Sequence, residues 1–329
     1  MKTKLFRVGV LLTASIGLVA GESVWGQAYP SKPVRLIVQG LPGTAPDLIA
    51  RLIVPRLSES LRQQVIVDNR AGGGGIVSAQ IAAASPADGY TVYLASSASV
   101  AIAPFLAKKR PYDPIQDFTP VTLVAITPLI VTMHPSLPVK SVKELIGLAK
   151  ARPKQLLFAT PGAGTPHHLT IEMFSRAAGI TMVHVPYKGG PPGVIDTISG
   201  QVQLVITTVV PVLPHVRASR LRALAVTSSK RMSVVPEVPT VTESGLHGFE
   251  SLQWWAMFAP KDTPAAIVDR LFVEVRKASE NSSVKSTLAQ EELELAANGP
   301  RALAEFHRIE IAKWQKIIYD LRESKVALE

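Results

Sequence analysis

The sequence predicts an α/β protein folded as two lobes. β-branched runs alternate with segments of helical period along the chain. About 300 residues follow an N-terminal leader, more than one hydrophobic core usually fills. Two β-rich stretches, 119–133 and 251–258, find no partner inside a single compact unit. Two crossings between two lobes account for both stretches and place a cleft between the lobes. A single doubly wound sheet is the alternative.

Residues 34–38 read as the first strand, and 47–61 as a helix with Leu48, Leu52, Leu57 and Leu61 on one side. A second strand covers 65–68. The run Gly72-Gly73-Gly74-Gly75 leads into a helix over 76–84, Asp88-Gly89 turns the chain, and 91–95 is a third strand. A second series begins with the long stretch 119–133. Ser141-Val142-Lys143-Glu144 has the form of a capping box opening a helix to Lys150. Strand 156–159, helix 166–178, strand 182–184, helix 193–199 and strands 203–206 and 223–227 follow. Beyond Pro236 and Pro239, residues 251–258 return as a strand, and Thr263-Pro264 starts a helix with proline at its first position. The last helix, 303–324, offers Phe306, Ile309, Trp314, Ile317 and Leu321 for burial. The expected division is residues 29–125 with 253–329 as one lobe and 126–252 as the other.

Residues 1–28 have the three parts of a secretory leader: Lys2, Lys4 and Arg7, then an apolar run from Val8 to Ala20, then small residues near Gly26 and Ala28. The apolar run is shorter than the roughly 20 residues a membrane-spanning helix needs. The leader is therefore expected to be a signal peptide that is removed, with a retained anchor as the alternative. The chain contains no cysteine, which excludes disulfides, thiolate metal sites, cysteine nucleophiles and lipid attachment to an N-terminal cysteine. An unlipidated, freely diffusing periplasmic protein, most simply a monomer, is the expectation. The formal charge of +10 suits an anionic partner. Scattered Lys and Arg, few aromatics and no recognised motif argue against nucleic acid.

Ordered matches along nearly the whole chain identify a resemblance. They include Tyr29-Pro30-Ser31-Lys32-Pro33-Val34, Asp68-Asn69-Arg70, Ala87-Asp88-Gly89-Tyr90-Thr91 and Pro111-Tyr112-Asp113-Pro114. Val185-Pro186-Tyr187-Lys188-Gly189, Gly200-Gln201-Val202-Gln203, Val238-Pro239-Thr240 and Ala312-Lys313-Trp314 continue the series. Together they resemble the substrate-binding receptors of tripartite tricarboxylate transporters, the Bug family. The resemblance implies a type II periplasmic-binding fold, no catalysis and no cofactor. It also implies a small carboxylate ligand and membrane permease subunits as partners. A sensory role, or an exported enzyme on the same scaffold, are the alternatives.

Four regions are candidates for the cleft. The loop with Leu41, Pro42, Gly43 and Thr44 precedes the first long helix, whose N-terminal N–H groups suit a carboxylate. Asp47 is expected at or near the N-cap. The loop with Gly162, Ala163, Gly164 and Thr165 resembles the family's carboxylate-holding loop, and the Thr165 hydroxyl is expected to donate to the ligand. Pro166 lacks an N–H, where relatives often carry serine. His167 is a possible contact, whereas His168 is expected to support the loop. His168 and Glu172 have a spacing compatible with two metal ligands, but no third is evident, and no metal is expected. Tyr187 is the favoured contact of the third region. Thr207 and Thr208 form the fourth, where relatives often carry an acid or amide; threonine there favours a plain or hydroxylated carboxylate over an amino acid. Ser96 and Ser97 are expected to add hydroxyls. The glycine run reads as structural, with the mouth of the cleft as its secondary placing. No Gly-x-Ser-x-Gly elbow marks a hydrolase nucleophile.

Overall fold

The computed structural model describes residues 29–324, so the expected signal peptide lies outside the described residues. Two sheets organise the chain, one of six strands and one of five. β1 (Val34–Gln39) lies between β2 (Val65–Arg70) and β3 (Thr91–Ser96), all parallel, with α1 (Ala45–Leu61) and α2 (Ile76–Ala83) as the crossovers. After β3 a π turn at Ala98–Ile102 runs into α3 (Ala103–Leu106), and β4 (Phe118–Pro128) leads away from this lobe. The second lobe contains β5 (Ile130–Met133), α4 (Val142–Ala151), β6 (Leu157–Thr160), α5 (Pro166–Ala178), β7 (Val183–Pro186), α6 (Gly190–Ile198), β8 (Leu204–Thr207), α7 (Leu213–Arg217) and β9 (Arg222–Val226). The chain returns as β10 (Leu252–Pro260) and ends with α8 (Ala265–Glu280), α9 (Ser282–Gln290), β11 (Glu294–Asn298) and α10 (Pro300–Glu323). The strand orders are β11-β4-β10-β3-β1-β2 and β7-β6-β8-β5-β9.

The stretch expected as one long strand is two, in different sheets. Pro128 cannot donate to a ladder. The next N–H, of Leu129, donates instead to the Thr227 hydroxyl at 2.8 Å. That hydroxyl donates to Ser251 O at 2.6 Å, so one buried threonine joins the outgoing and returning strands where they change lobes. β10 pairs antiparallel with both β3 and β4, which ties the end of the chain to its beginning.

Both sheets are mixed, with parallel and antiparallel pairings, and each is covered on both faces. Val34, Leu36 and Val38 of β1 face Ile49, Ile53 and Leu57 of α1, while Ile37 and Tyr93 face the opposite side with Trp254 and Trp314. In the second lobe Phe158, Ile171 and Phe174 pack on one face, and Ala159, Val194 and Val205 on the other. Half of the capping box forms at α4: the N-cap Ser141 Oγ accepts from Glu144 N–H at 3.2 Å, while the Glu144 carboxylate accepts from the N–H of Lys140, one residue before the N-cap, at 2.5 Å. Pro264, expected as the first helical residue, is instead the N-cap of α8, which starts one residue later at Ala265.

Of the residues expected to be buried on α10, Trp314 and Leu321 are buried and Phe306 and Ile317 pack partly buried against the same core, whereas Ile309 faces out. Leu303, His307, Glu310, Ile311, Trp314, Ile318 and Leu321 face inward, and Ile309 is 60% exposed. The reason is that two polar residues occupy the inner face and are satisfied there. His307 Nε2 meets Val100 O at 2.9 Å, and Glu310 accepts from the indole N–H groups of Trp254 (2.9 Å) and Trp314 (3.1 Å) and pairs with Lys313. Reading hydrophobic residues alone therefore misplaces Ile309 and omits His307 and Glu310.

α5 belongs to the second lobe by its core, yet its Leu169 is fully buried in the core of the first. Burying a leucine stabilises this contact by about 1.5 to 3 kcal/mol. Thr170 Oγ1 lies 2.6 Å from Ser251 Oγ, and Arg176 reaches Asp320 of α10 at 3.4 Å. The helix whose N-terminus faces the cleft is thus held from both lobes.

Candidate functional site

The second-lobe side is built by the turn between β6 and α5. Thr165 is the N-cap of α5: its Oγ1 accepts from His168 N–H at 3.3 Å and donates to Gly162 O at 2.7 Å. The hydroxyl hydrogen is thus used inside the loop, and the expected donation from Thr165 to a ligand is not available in this arrangement. Gly164 adopts φ +67°, a conformation that costs an ordinary residue about 1 to 2 kcal/mol. Its N–H donates to His168 Nδ1 at 3.1 Å, so that nitrogen is unprotonated. His168 stacks on His184 at 3.8 Å and is fully buried, and its Nε2 faces Glu172 at 3.7 Å. Among the described residues no third His, Asp or Glu joins them as a metal site would require. Burial, with His168 adding to it, lowers the His184 pKa to about 4.

With these bonds assigned, the N–H groups of Ala163, Thr165 and His167 have no protein acceptor among the described residues. They cluster at the N-terminus of a helix of 13 residues, where the dipole favours an anion. A carboxylate fits such donors without any side-chain cation.

The first-lobe side is spent differently. Ser96 Oγ donates to Gln39 Oε1 at 2.6 Å, and Gln39 Nε2 donates to Gly74 O at 3.4 Å. The side chain of Gln39 thereby pins the glycine turn to the end of β3. Gly75, at φ +97°, leaves room for this: a Cβ there would lie 2.6 Å from both Gln39 and Ser99. Thr44, not Asp47, is the N-cap of α1; its Oγ1 donates to Leu41 O at 2.7 Å. Asp47 stands in the first turn, accepting from Gly43 N–H at 2.9 Å and from Arg51. Burial opposes its ionisation, but these bonds outweigh burial and hold its pKa below the ordinary value.

A cavity of about 290 Å³ lies where the two sides face each other, lined by Gly73, Gly74, Ile76, Ala98, Ala103, Leu106 and Ala107 from one lobe and Ala163, Gly164 and Thr165 from the other. No lining side chain is charged. Two much larger grooves, of about 730 and 690 Å³, carry charged side chains and lie behind the crossing strands and beside β7, and a third of about 310 Å³ lies between α3 and α10 and carries Arg110 and Arg322. The smaller cavity brings Ala163 and Thr165, two of the residues with acceptorless N–H groups, to an apolar wall, the combination expected of a ligand pocket.

The expected contacts distribute unevenly around it. Ala163, Gly164 and Thr165 line the cavity, and Gly162 supports them. Leu41, Pro42, Gly43 and Thr44 stand exposed and are not among its lining residues. Ser96 and Ser97 are buried beneath the segment that supplies Ala98. His167 is buried with Nδ1 unpartnered, and burial lowers its pKa to about 4. Tyr187 donates to Asp196 at 2.7 Å; its pKa is pushed up to about 12 by burial and by that carboxylate. Thr207 is buried at the end of β8, and Thr208 is half-buried beyond it. Neither is in the cavity lining. Sequence reasoning missed Ile76, Ala98, Ala103, Leu106 and Ala107, small or aliphatic residues with no chemical signature.

The family model described as "Tripartite tricarboxylate transporter family receptor" matches residues 49–322. The chain belongs to this receptor family. Among its relatives is Protein BugT of Bordetella pertussis, 35% identical over 317 residues, with 96% of this chain and 97% of BugT covered. Rpa4515 of R. palustris, solved with adipate, is 35% identical with a TM-score of 0.77, covering 88% of this chain and 97% of its own. MatC (Rpa3494) of Rhodopseudomonas palustris, solved with bound malate, is 29% identical with a TM-score of 0.75, covering 88% and 100%. The two-lobed α/β architecture of these receptors is the fold of this chain. Within the described residues no helix is long and apolar enough to cross a membrane.

Proposed function

We propose that this family member is an exported, unlipidated periplasmic receptor that captures a small carboxylate between its lobes and presents it to the permease of a tripartite tricarboxylate-type transporter. The observation that carries this reading is the set of three acceptorless N–H groups, on Ala163, Thr165 and His167, at the N-terminus of α5 beside a cavity without charged side chains. The relatives solved with adipate and malate support a carboxylate. The crossings near residues 126 and 252 act as the hinge, with 29–125 plus 253–329 and 126–252 moving as lobes. The backbone of Ala163, Gly164 and Thr165 holds the ligand; Gly162, Thr165 Oγ1 and His168 keep that backbone in place. No reaction is assigned to the site.

Calorimetric titration of the purified mature chain with a carboxylate panel tests the reading. One-to-one binding without turnover is expected, and loss of uptake on deleting the partner permease is expected in cells. Product formation without stoichiometric binding contradicts the receptor role. Uptake that survives loss of the permease, together with ligand-dependent signalling, indicates a sensor instead.

A further inference from the structure

α3 is a wall with two faces. Ala103, Leu106 and Ala107 line the ligand cavity. Phe105, Ala107 and Arg110 line the groove of about 310 Å³ on the other side, which Tyr319 and Arg322 of α10 close. One short helix therefore separates the ligand cavity from this groove, and whatever occupies the groove rests against the wall of the cavity.

The groove is cationic. Arg322 Nη2 donates to Phe105 O at 2.9 Å and to Leu106 O at 3.0 Å, which anchors the guanidinium on the end of α3 and leaves Nε and Nη1 without an acceptor among the described residues. The Arg110 guanidinium lies 4.9 Å from the centre of the Phe105 ring and reaches Asp113 at 3.4 Å. Lys108 and Lys109 stand exposed beside it and form no ion pair among the described residues. The carboxylates that contact this rim are those of Asp113 and of Glu323, which accepts from the Tyr319 hydroxyl at 2.8 Å. Four cations thus meet two anions. Tyr319 is 62% exposed, and tyrosine and arginine are the residue types that protein interfaces favour.

We propose that this groove is the surface on which the receptor docks its permease, through an acidic segment that sets a carboxylate on Arg322 and packs over Phe105 and Tyr319. The inference rests on the receptor reading above. Charge selects the occupant: an anchored guanidinium with donors to spare suits a carboxylate and gives up little freedom in binding it, and Lys108 and Lys109 steer an acidic surface towards it. Position selects it as well, because a partner seated here touches the helix behind which the ligand is held.

The test is co-sedimentation of the purified mature chain with vesicles of one lipid composition, with and without the reconstituted permease. Permease vesicles are expected to bind the wild type at least about tenfold more tightly than empty ones, and added salt should weaken that binding. The double variant Lys108→Glu/Lys109→Glu should lose at least about tenfold in affinity with its urea midpoint unchanged, and Tyr319→Ala should lose about fivefold at unchanged charge. Lys143→Glu/Lys150→Glu makes the same charge change on the exposed face of α4 and should stay within about twofold of the wild type. Undiminished binding by the Lys108/Lys109 variant overturns the proposal and leaves the receptor reading intact. An equal loss in the α4 variant overturns it in favour of net charge, and equal binding to empty vesicles overturns it in favour of a lipid surface. A wild type that binds neither vesicle overturns both the docking surface and delivery to the permease.

Discussion

Removing the Thr165 hydroxyl distinguishes a residue that organises the loop from one that touches the ligand. In Thr165→Ala the N-cap bond to His168 N–H and the bond to Gly162 O are both lost. Loss of an N-cap costs about 0.5 to 2 kcal/mol, and a neutral hydrogen bond contributes about 0.5 to 1.5 kcal/mol. Because the two bonds share one oxygen, a combined loss of about 2 kcal/mol in unfolding free energy is expected. The same change frees Gly162 and loosens the start of α5, so the N–H groups of Ala163, Thr165 and His167 are no longer held in place. Carboxylate affinity should then fall about tenfold, the equivalent of about 1.4 kcal/mol. Thr165→Ser retains the oxygen and should restore both quantities. Urea unfolding and calorimetry on the three proteins make the comparison. An alanine variant with weakened binding but an unchanged urea midpoint would refute the reasoning, because the hydroxyl would then be a direct contact.

Three further outcomes follow from the packing. His167 has a folded-state pKa of about 4, below the ordinary 6.5, so the unfolded chain binds more protons between these values. Stability should therefore fall as pH drops from 6.5 towards 4, by up to about 1.4 kcal/mol per pH unit from this group, and His167→Gln should flatten that slope in urea titrations at stepped pH. Gly75→Ala places a Cβ 2.6 Å from Gln39 and Ser99 at φ +97°; a loss of at least about 1 to 2 kcal/mol is expected, and an unchanged thermal midpoint would show that the turn yields freely. Glu310→Leu strands the indole N–H groups of Trp254 and Trp314 and should cost about 2 to 4 kcal/mol, whereas Glu310→Gln, which keeps an acceptor, should cost less than half of that by the same unfolding assay.

The parts legible in the sequence are those where local chemistry and tertiary demand agree. The β-branched runs of β1 and β3 announce buried strands, and Thr165-Pro166 marks the start of α5 from its own capping preference. β11 was not legible: Glu-Leu-Ala-Ala-Asn has no strand preference, and the segment is a strand because β4 offers an edge. α9 lacks a strong apolar period and rests on the core through Val284 and Leu288 alone. The apolar stripe of α10 is legible except at Ile309, because His307 and Glu310 are polar residues with buried partners on the inner face.

At the site, the N-terminal loop of α5 could be read because glycine, threonine and proline each carry a backbone meaning there. The opposite wall could not, since Ala98, Ala103 and Ala107 differ in no chemical respect from alanines elsewhere. Nor does a sequence show where a hydroxyl points. The hydroxyls of Tyr187, Ser96 and Thr165, which the sequence alone leaves open to a ligand, are engaged with Asp196, Gln39 and Gly162.

The central claim is that backbone donors at the start of α5 hold an ionised carboxylate in a cavity with no cation. Calorimetry of one acid against its uncharged twin tests this most directly, with hexanoate and hexanamide as the pair and with adipate and adipamide in parallel. The account predicts that whichever acid binds loses at least about a hundredfold in affinity when its carboxylate becomes an amide, since the charge-assisted bonds and the helix dipole then lose their anion. An amide that binds as well as its acid would contradict it.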